Sequence, residues 1–221
     1  MIKIAIDGPS GSGKSTLAKN IAKELGFIYV DTGALYRSIG LYMFEHHIDT
    51  DTPSAVIAAL SGINLKLMHI DGKQTVYLND ENVGERIRTP EISRMASIVS
   101  SIPEVRAFLL DLQKDMANRY NVVMDGRDIG TVIMPDAQVK IYLSASAENR
   151  AKRRYEELCA KGVKTTYETV LEDLVSRDVK DATREIAPAV AAPDAVPLDN
   201  SGLEAHETLQ KAMEIVRNKL G

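Results

Sequence analysis

Short apolar runs alternate along this chain with longer stretches in which apolar positions recur every three or four residues. The first pattern predicts buried strands and the second amphipathic helices. Ile2-Lys3-Ile4-Ala5-Ile6 predicts a strand over 4–6, and the repeat that follows predicts a helix over 14–25, stopped by Gly26. A strand over 27–30 and a helix over 34–46 come next, the helix aligning Leu35, Ile39, Tyr42 and Met43 on related faces. The pattern changes after Pro53. A short helix over 54–60 precedes Ile63-Asn64-Leu65-Lys66-Leu67, which alternates with period two. Asp71-Gly72 is a hairpin signal, Thr75-Val76-Tyr77-Leu78 its partner strand, and Asn79-Asp80-Glu81-Asn82 a second turn. Residues 61–88 therefore predict a small antiparallel insertion. Thr89 and Pro90 then cap and open a helix, and another runs over 103–120. Strands over 122–124, 139–143 and 195–198 alternate with helices over 147–161, 166–179 and 203–220, and the Pro/Ala-rich residues 187–193 read as a loop.

Apolar strands alternating with helices predict an α/β fold with a parallel sheet covered on both faces. The chain's 221 residues suffice for one main domain with an insert. A net charge of −4 supplies no global basic field of the kind a nucleic-acid binder presents. A small anionic substrate must then be gripped by local arginines. The single cysteine, Cys159, excludes an intrachain disulfide and a cysteine metal site. No signal peptide and no apolar run of membrane-crossing length is visible, so a cytoplasmic protein without a membrane partner is expected.

The chemistry begins at Gly8-Pro9-Ser10-Gly11-Ser12-Gly13-Lys14-Ser15, a G-x-x-x-x-G-K-S phosphate-binding loop between a predicted strand and a predicted helix. Its glycines let backbone N–H groups converge on phosphate oxygens, and the new helix adds its positive end. Lys14 reaches the β/γ-phosphates, and the Ser15 hydroxyl is a Mg²⁺ ligand. Asp31-Thr32-Gly33-Ala34-Leu35-Tyr36-Arg37 falls at the carboxyl end of a strand, where open α/β sheets bind ligands. Arg37 there can grip a phosphate bidentately, or merely pair with a helix neighbour. Asp125-Gly126-Arg127-Asp128 repeats that arrangement, with Asp125 placed near a metal or its waters, unless it is a turn with a local ion pair. Arg150, Arg153 and Arg154 share one helix face that can close over a triphosphate or stay solvated. Arg177-Asp178, Asp181 and Arg184 stand about one turn apart, which by itself also fits a solvated ion-pair network. Arg88, Arg94 and Arg106 carry no signal of their own, and His46, His47, His69 and His206 lack metal-ligand spacing.

The phosphate loop, the Asp31–Arg37 segment and Asp125-Gly126-Arg127-Asp128-Ile129-Gly130-Thr131-Val132 together resemble the bacterial cytidylate kinases. Pro135-Asp136-Ala137, the strand over 139–143 and the later arginines extend the likeness over essentially the whole chain. The resemblance implies a nucleoside-monophosphate-kinase-like three-layer α/β/α fold with a five-stranded parallel sheet. It divides the chain into a core of about 1–50 and 100–221, a nucleotide-monophosphate-binding insert of about 51–99 and a short lid of about 147–165. It implies transfer of the ATP γ-phosphoryl to CMP or dCMP with Mg²⁺ by a monomer. Lys14, Arg127 and Arg153 would be catalytic. Gly8 to Thr16, Arg153 and Arg154 would hold ATP, with Ser15 on the metal. Arg37, Arg127 and Arg177 would hold the acceptor phosphate and sugar, and Ser97, Arg106, Asp181 and Arg184 would surround cytosine, with Thr32, Tyr36 and Asp128 completing the acceptor site. Asp181 has a physical reason: a carboxylate accepts from cytosine's exocyclic amine but opposes uracil's carbonyl.

Other readings of the loop are a kinase for UMP, AMP or shikimate, a regulatory GTPase, and a nucleic-acid-dependent ATPase. A GTPase needs an Asn-Lys-x-Asp guanine reader, which Val196-Pro197-Leu198-Asp199-Asn200 does not supply. The acidic balance and short length disfavour the ATPase.

Overall fold

The apolar run after Met1 becomes β1 (Lys3–Asp7), whose Ile4, Ala5 and Ile6 are fully buried. Burial on both faces is what a continuous rather than alternating apolar run specifies. The computed structural model describes residues 1–70 and 73–221; the Asp71-Gly72 hairpin signal lies outside the described residues. Two compact units form, one of Met1 and residues 28–120, the other of residues 2–27 and 121–221.

In the second unit, β1 leads to α1 (Lys14–Leu25). There follow β6 (Val122–Gly126), β7 (Val139–Ser144), α6 (Ala147–Ala160), α7 (Tyr167–Thr183), β8 (Val196–Asp199) and α8 (Ala205–Leu220). In the first unit lie β2 (Ile28–Asp31), α2 (Thr32–Glu45), α3 (Pro53–Ala59), β3 (Leu65–Ile70), β4 (Lys73–Leu78), β5 (Glu81–Asn82), α4 (Pro90–Val99) and α5 (Pro103–Arg119). The main sheet has the order β2-β6-β1-β7-β8, and β3-β4-β5 form a separate sheet. The expected α/β class with five parallel strands, flanking helices and a small antiparallel sheet is the one found.

Register matters for function. β1 sets Ile6 opposite Asp125 and Asp7 opposite Gly126, while Asp7 also faces Tyr142 on β7. The carboxyl ends of three adjacent strands thus open together, and the phosphate loop leaves from the middle one. α1 buries Leu17, Ala18, Ile21 and Ala22, and ends at left-handed Gly26, whose N–H bonds to the Ala22 carbonyl. In the first unit α2 packs on α4 through a core that includes Leu35, Ile39, Met43, Ile92, Ala96 and Val99.

Several boundaries differ from the sequence expectation, each for a local reason. α2 begins at Thr32, because the Asp31 carboxylate already accepts from the Ala34 N–H as its cap. The turn expected over 79–82 contains only Asn79 and Asp80, both left-handed at φ 48° and 67°. Glu81 and Asn82 pair back as β5 against Leu78 and Tyr77. Short amides and carboxylates tolerate that conformation, so two residues complete the reversal. α7 runs on to Thr183, placing Asp181 within the helix. Residues 129–133 form one wide helical turn, with the Met134 N–H bonded to the Ile129 carbonyl at 2.7 Å, which no periodicity announced.

Candidate active site

The phosphate loop has the geometry its glycines require. A Cβ on Gly8 would lie 2.0 Å from the Leu143 carbonyl oxygen, so only glycine permits this approach to β7. Gly13 sits at φ 91° as the residue before α1. Pro9, Ser10, Gly11 and Ser12 complete the arch, with Ser12 fully buried and Thr16 exposed on the first turn of α1. The Lys14 ammonium donates to the Pro9 carbonyl at 2.6 Å and to Ser12 Oγ at 3.4 Å. Burial lowers its pKa well below the usual lysine value, and the Arg127 and Arg177 cations push the same way against Asp125 and Asp7. Positive charge is thus concentrated and under-compensated beside the loop, which suits a polyanion.

The Ser15 hydroxyl donates to Asp125 Oδ2 at 2.8 Å. These are two hard oxygen donors, fitting Mg²⁺, which keeps several waters and binds through few protein ligands. Among the described residues no group of three His, Cys, Asp or Glu is placed to hold a metal. A Mg²⁺ held there would take its other ligands from water and phosphate oxygens.

Arg127 Nε donates to Asp181 Oδ2 at 2.9 Å, joining the end of β6 to α7. Asp181 is buried, and its second carboxylate oxygen is not the one Arg127 holds. The side chains of Arg184 and Asp128 are buried within 3.9 Å of each other, and Arg184 Nε donates to the Ala187 carbonyl. Arg177, half-buried on α7, contributes charge at Lys14. Arg153 donates to the Asn200 carbonyl at 2.8 Å, and Arg154 pairs with Glu157 on its own helix.

Arg150 departs from the expectation that it shares a phosphate-facing surface with Arg153 and Arg154. It is buried and donates to the carbonyls of Ala145 and Ser10, both at 2.9 Å, and pairs with Asp178 at 2.6 Å. The Asp178 carboxylate in turn accepts from the Ser10 N–H at 3.3 Å. Its charge is therefore spent on holding the loop to α6 and α7.

In the first unit Arg37 Nη2 donates to Asp31 Oδ2 at 2.8 Å, while its buried Nε has no partner among the described residues. An unsatisfied buried donor is costly, and an anion relieves it. Thr32 and Tyr36 are buried on the same turn of α2. The Arg106 guanidinium lies 5.6 Å from the Tyr36 ring centre and donates to the Ser100 carbonyl, one turn from half-buried Ser97. Arg88 and Arg94 are exposed.

The roles of three residues around the loop escaped the sequence. Asp7 is buried, accepting from the Ile129 and Gly130 N–H groups at 2.8 and 2.7 Å. Burial raises its carboxyl to about 6, against those two donors. Asn200 donates to the Ser12 carbonyl at 3.0 Å, and Asp178 braces Ser10. Their only signal was position at strand ends or beside a motif arginine.

A glycine-rich loop at the carboxyl end of a central parallel strand, with its lysine and serine and a buried carboxylate on the neighbouring strand, defines a P-loop phosphotransferase. A shikimate kinase structure from Bacteroides thetaiotaomicron has the same fold at a TM-score of 0.51, 14% identical and covering 98% of each chain. The family model for cytidylate kinase matches residues 4–218. The cytidylate kinase of Carboxydothermus hydrogenoformans is 45% identical over 99% of this chain and 98% of its own. That of Fervidobacterium nodosum is 48% identical over 98% and 97%. The chain belongs to the cytidylate kinase family.

Proposed function

We propose that this protein transfers the γ-phosphoryl of ATP to CMP or dCMP, giving ADP and CDP or dCDP. Family membership over residues 4–218 is the observation that carries this reading, and the relatives named above carry the same activity in their names. An oxygen of the acceptor phosphate attacks the γ-phosphorus in line while ADP departs, so the protein needs to position and to neutralise rather than to supply a nucleophile. Residues Gly8 to Thr16 wrap the ATP phosphates, and Lys14, Arg127 and Arg153 offset the charge of the transferring group. Arg154 closes on ATP from the lid over 147–165. Ser15, backed by Asp125, would hold Mg²⁺, which screens phosphate charge during transfer. Arg37, Arg127 and Arg177 take the acceptor phosphate and sugar, with Thr32, Tyr36 and Asp128 beside them.

Ser97, Arg106, Asp181 and Arg184 read cytosine. The Arg127–Asp181 ion pair supports this role: it orients the Asp181 carboxylate by one oxygen and leaves the other for the exocyclic amine. Residues 51–99 act as the monophosphate-binding insert, and the enzyme works as a cytoplasmic monomer. Among the described residues no helix is long and apolar enough to cross a membrane.

The test is ADP release with ATP, Mg²⁺ and each of CMP, dCMP, UMP, AMP and GMP. Turnover confined largely to CMP and dCMP is expected. ADP release without any acceptor, or preference for another monophosphate, overturns the reading.

A further inference from the structure

Gln74 lies in the antiparallel insert, on β4 opposite residue 69, and carries no motif. Its side-chain amide nevertheless makes two bonds to one backbone residue elsewhere in the same unit. Its Oε1 accepts from the Asp31 N–H at 2.6 Å, and its Nε2 donates to the Asp31 carbonyl at 3.2 Å. A primary amide offers one acceptor and two donors on a planar group, so it satisfies both backbone groups of one residue as a neighbouring strand does. Asp31 is the last residue of β2, the point where a strand ladder ordinarily runs out.

The consequence passes through the Asp31 side chain. With its backbone fixed on both sides, Asp31 directs one carboxylate oxygen to the Ala34 N–H at 3.0 Å and the other to Arg37 Nη2 at 2.8 Å. Gly33 leaves room for this: a Cβ there would stand 3.0 Å from Arg37 Nη1 and 3.2 Å from Asp31 Oδ1. The guanidinium is held by one edge, and its buried Nε is left for another acceptor. We infer that Gln74 is a positioning residue for the acceptor phosphate, acting through Asp31 on Arg37. The insert then contributes to CMP affinity without touching CMP. This inference rests on the assignment of Arg37 to the acceptor phosphate made above.

The experiment is a double-mutant cycle of Gln74→Met and Arg37→Ala in the full-length enzyme, reading KM for CMP and KM for ATP separately. Met has similar length and no amide, so both backbone bonds vanish with little change of volume. KM for CMP is expected to rise about tenfold in Gln74→Met, in line with the cost of slightly misplacing a binding group. KM for ATP should stay within about twofold. The same substitution in the Arg37→Ala background should add little further effect, because the residue it positions is gone. Should Gln74→Met melt far below the parent, Gln74→Glu replaces it, keeping the acceptor but opposing a carboxylate to the Asp31 carbonyl. The same rise is expected there. If Arg37→Ala raises KM for CMP while the Gln74 variants leave it unchanged, or if the two effects simply multiply, the inference is wrong and the Arg37 assignment stands. If Arg37→Ala itself leaves KM for CMP unchanged, the assignment fails and the inference falls with it.

Discussion

Lys14 carries its charge in a poor place for a cation, buried and near Arg127 and Arg177. Bound phosphates would reverse that balance, which is the physical ground for the catalytic role proposed for this lysine. Lys14→Ala should cut turnover by about 10²-fold or more yet leave the melting temperature of the ligand-free protein undiminished. Near-parental turnover would remove Lys14 from the catalytic charge. Asp7 makes the complementary case. Its carboxyl is raised from 3.8 to about 6, so the folded state holds this proton more tightly than the unfolded chain does. The associated stability is present below pH 3.8 and is lost as pH rises through about 6. Stability of the parent relative to Asp7→Asn should therefore fall across that interval in denaturant melts of the ligand-free protein. A difference independent of pH would show that Asp7 is not raised. At Asp181, exchange for Ala should erase most of the preference for CMP over UMP, since a site built around a donor rejects its absence or reversal. Unchanged preference in a competition assay would assign base reading elsewhere.

At the scale of elements, α7 does two things at once. One stretch of it bears Arg177 and Asp181, assigned above to the acceptor, and Asp178, which holds Ser10 of the phosphate loop together with Arg150 on α6. Arg150 is buried with three acceptors, so removing it strands Asp178 and two carbonyls. Arg150→Ala should destabilise the protein by about 3 kcal/mol, the usual cost of breaking a buried pair by deleting one partner, measured by urea unfolding. A loss below about 1 kcal/mol would mark the pair as an exposed one of little worth. The helix periodicity of α7 was plain from the sequence, but its last turn was not. The charged residues after Val179 look like a solvated tail until Arg127 is seen to hold Asp181.

For the whole molecule, the acidic net charge of −4 and the cluster of cations around the loop are compatible because the cations are buried or paired locally. Metal enters on similar terms. On the proposed placement of Mg²⁺ at Ser15, backed by Asp125, so few protein groups would hold the ion that it should matter for turnover and not for the ligand-free fold. EDTA is expected to abolish activity while leaving the melting temperature of the ligand-free protein unchanged. A drop in that temperature on chelation would point to a metal bound by protein groups alone.

The sequence by itself determined the strands, most helices, the phosphate loop and the segments bearing Arg37 and Arg127. Each of these is written in local terms: a period of apolar residues, a glycine where backbone must approach, a proline or aspartate at a helix start. Tertiary structure decided what each charge is for. Arg150 and Arg153 lie one turn apart on one helix and look alike in sequence, yet one is committed to the Ser10 carbonyl and Asp178 and the other meets Asn200. Asp7, Asn200 and Gln74 acquire their roles from residues 122, 188 and 43 positions away. Spacing along a chain fixes which residues share a face. Which long-range backbone groups that face must satisfy is settled only when the strands have been paired and the buried donors and acceptors have found their partners.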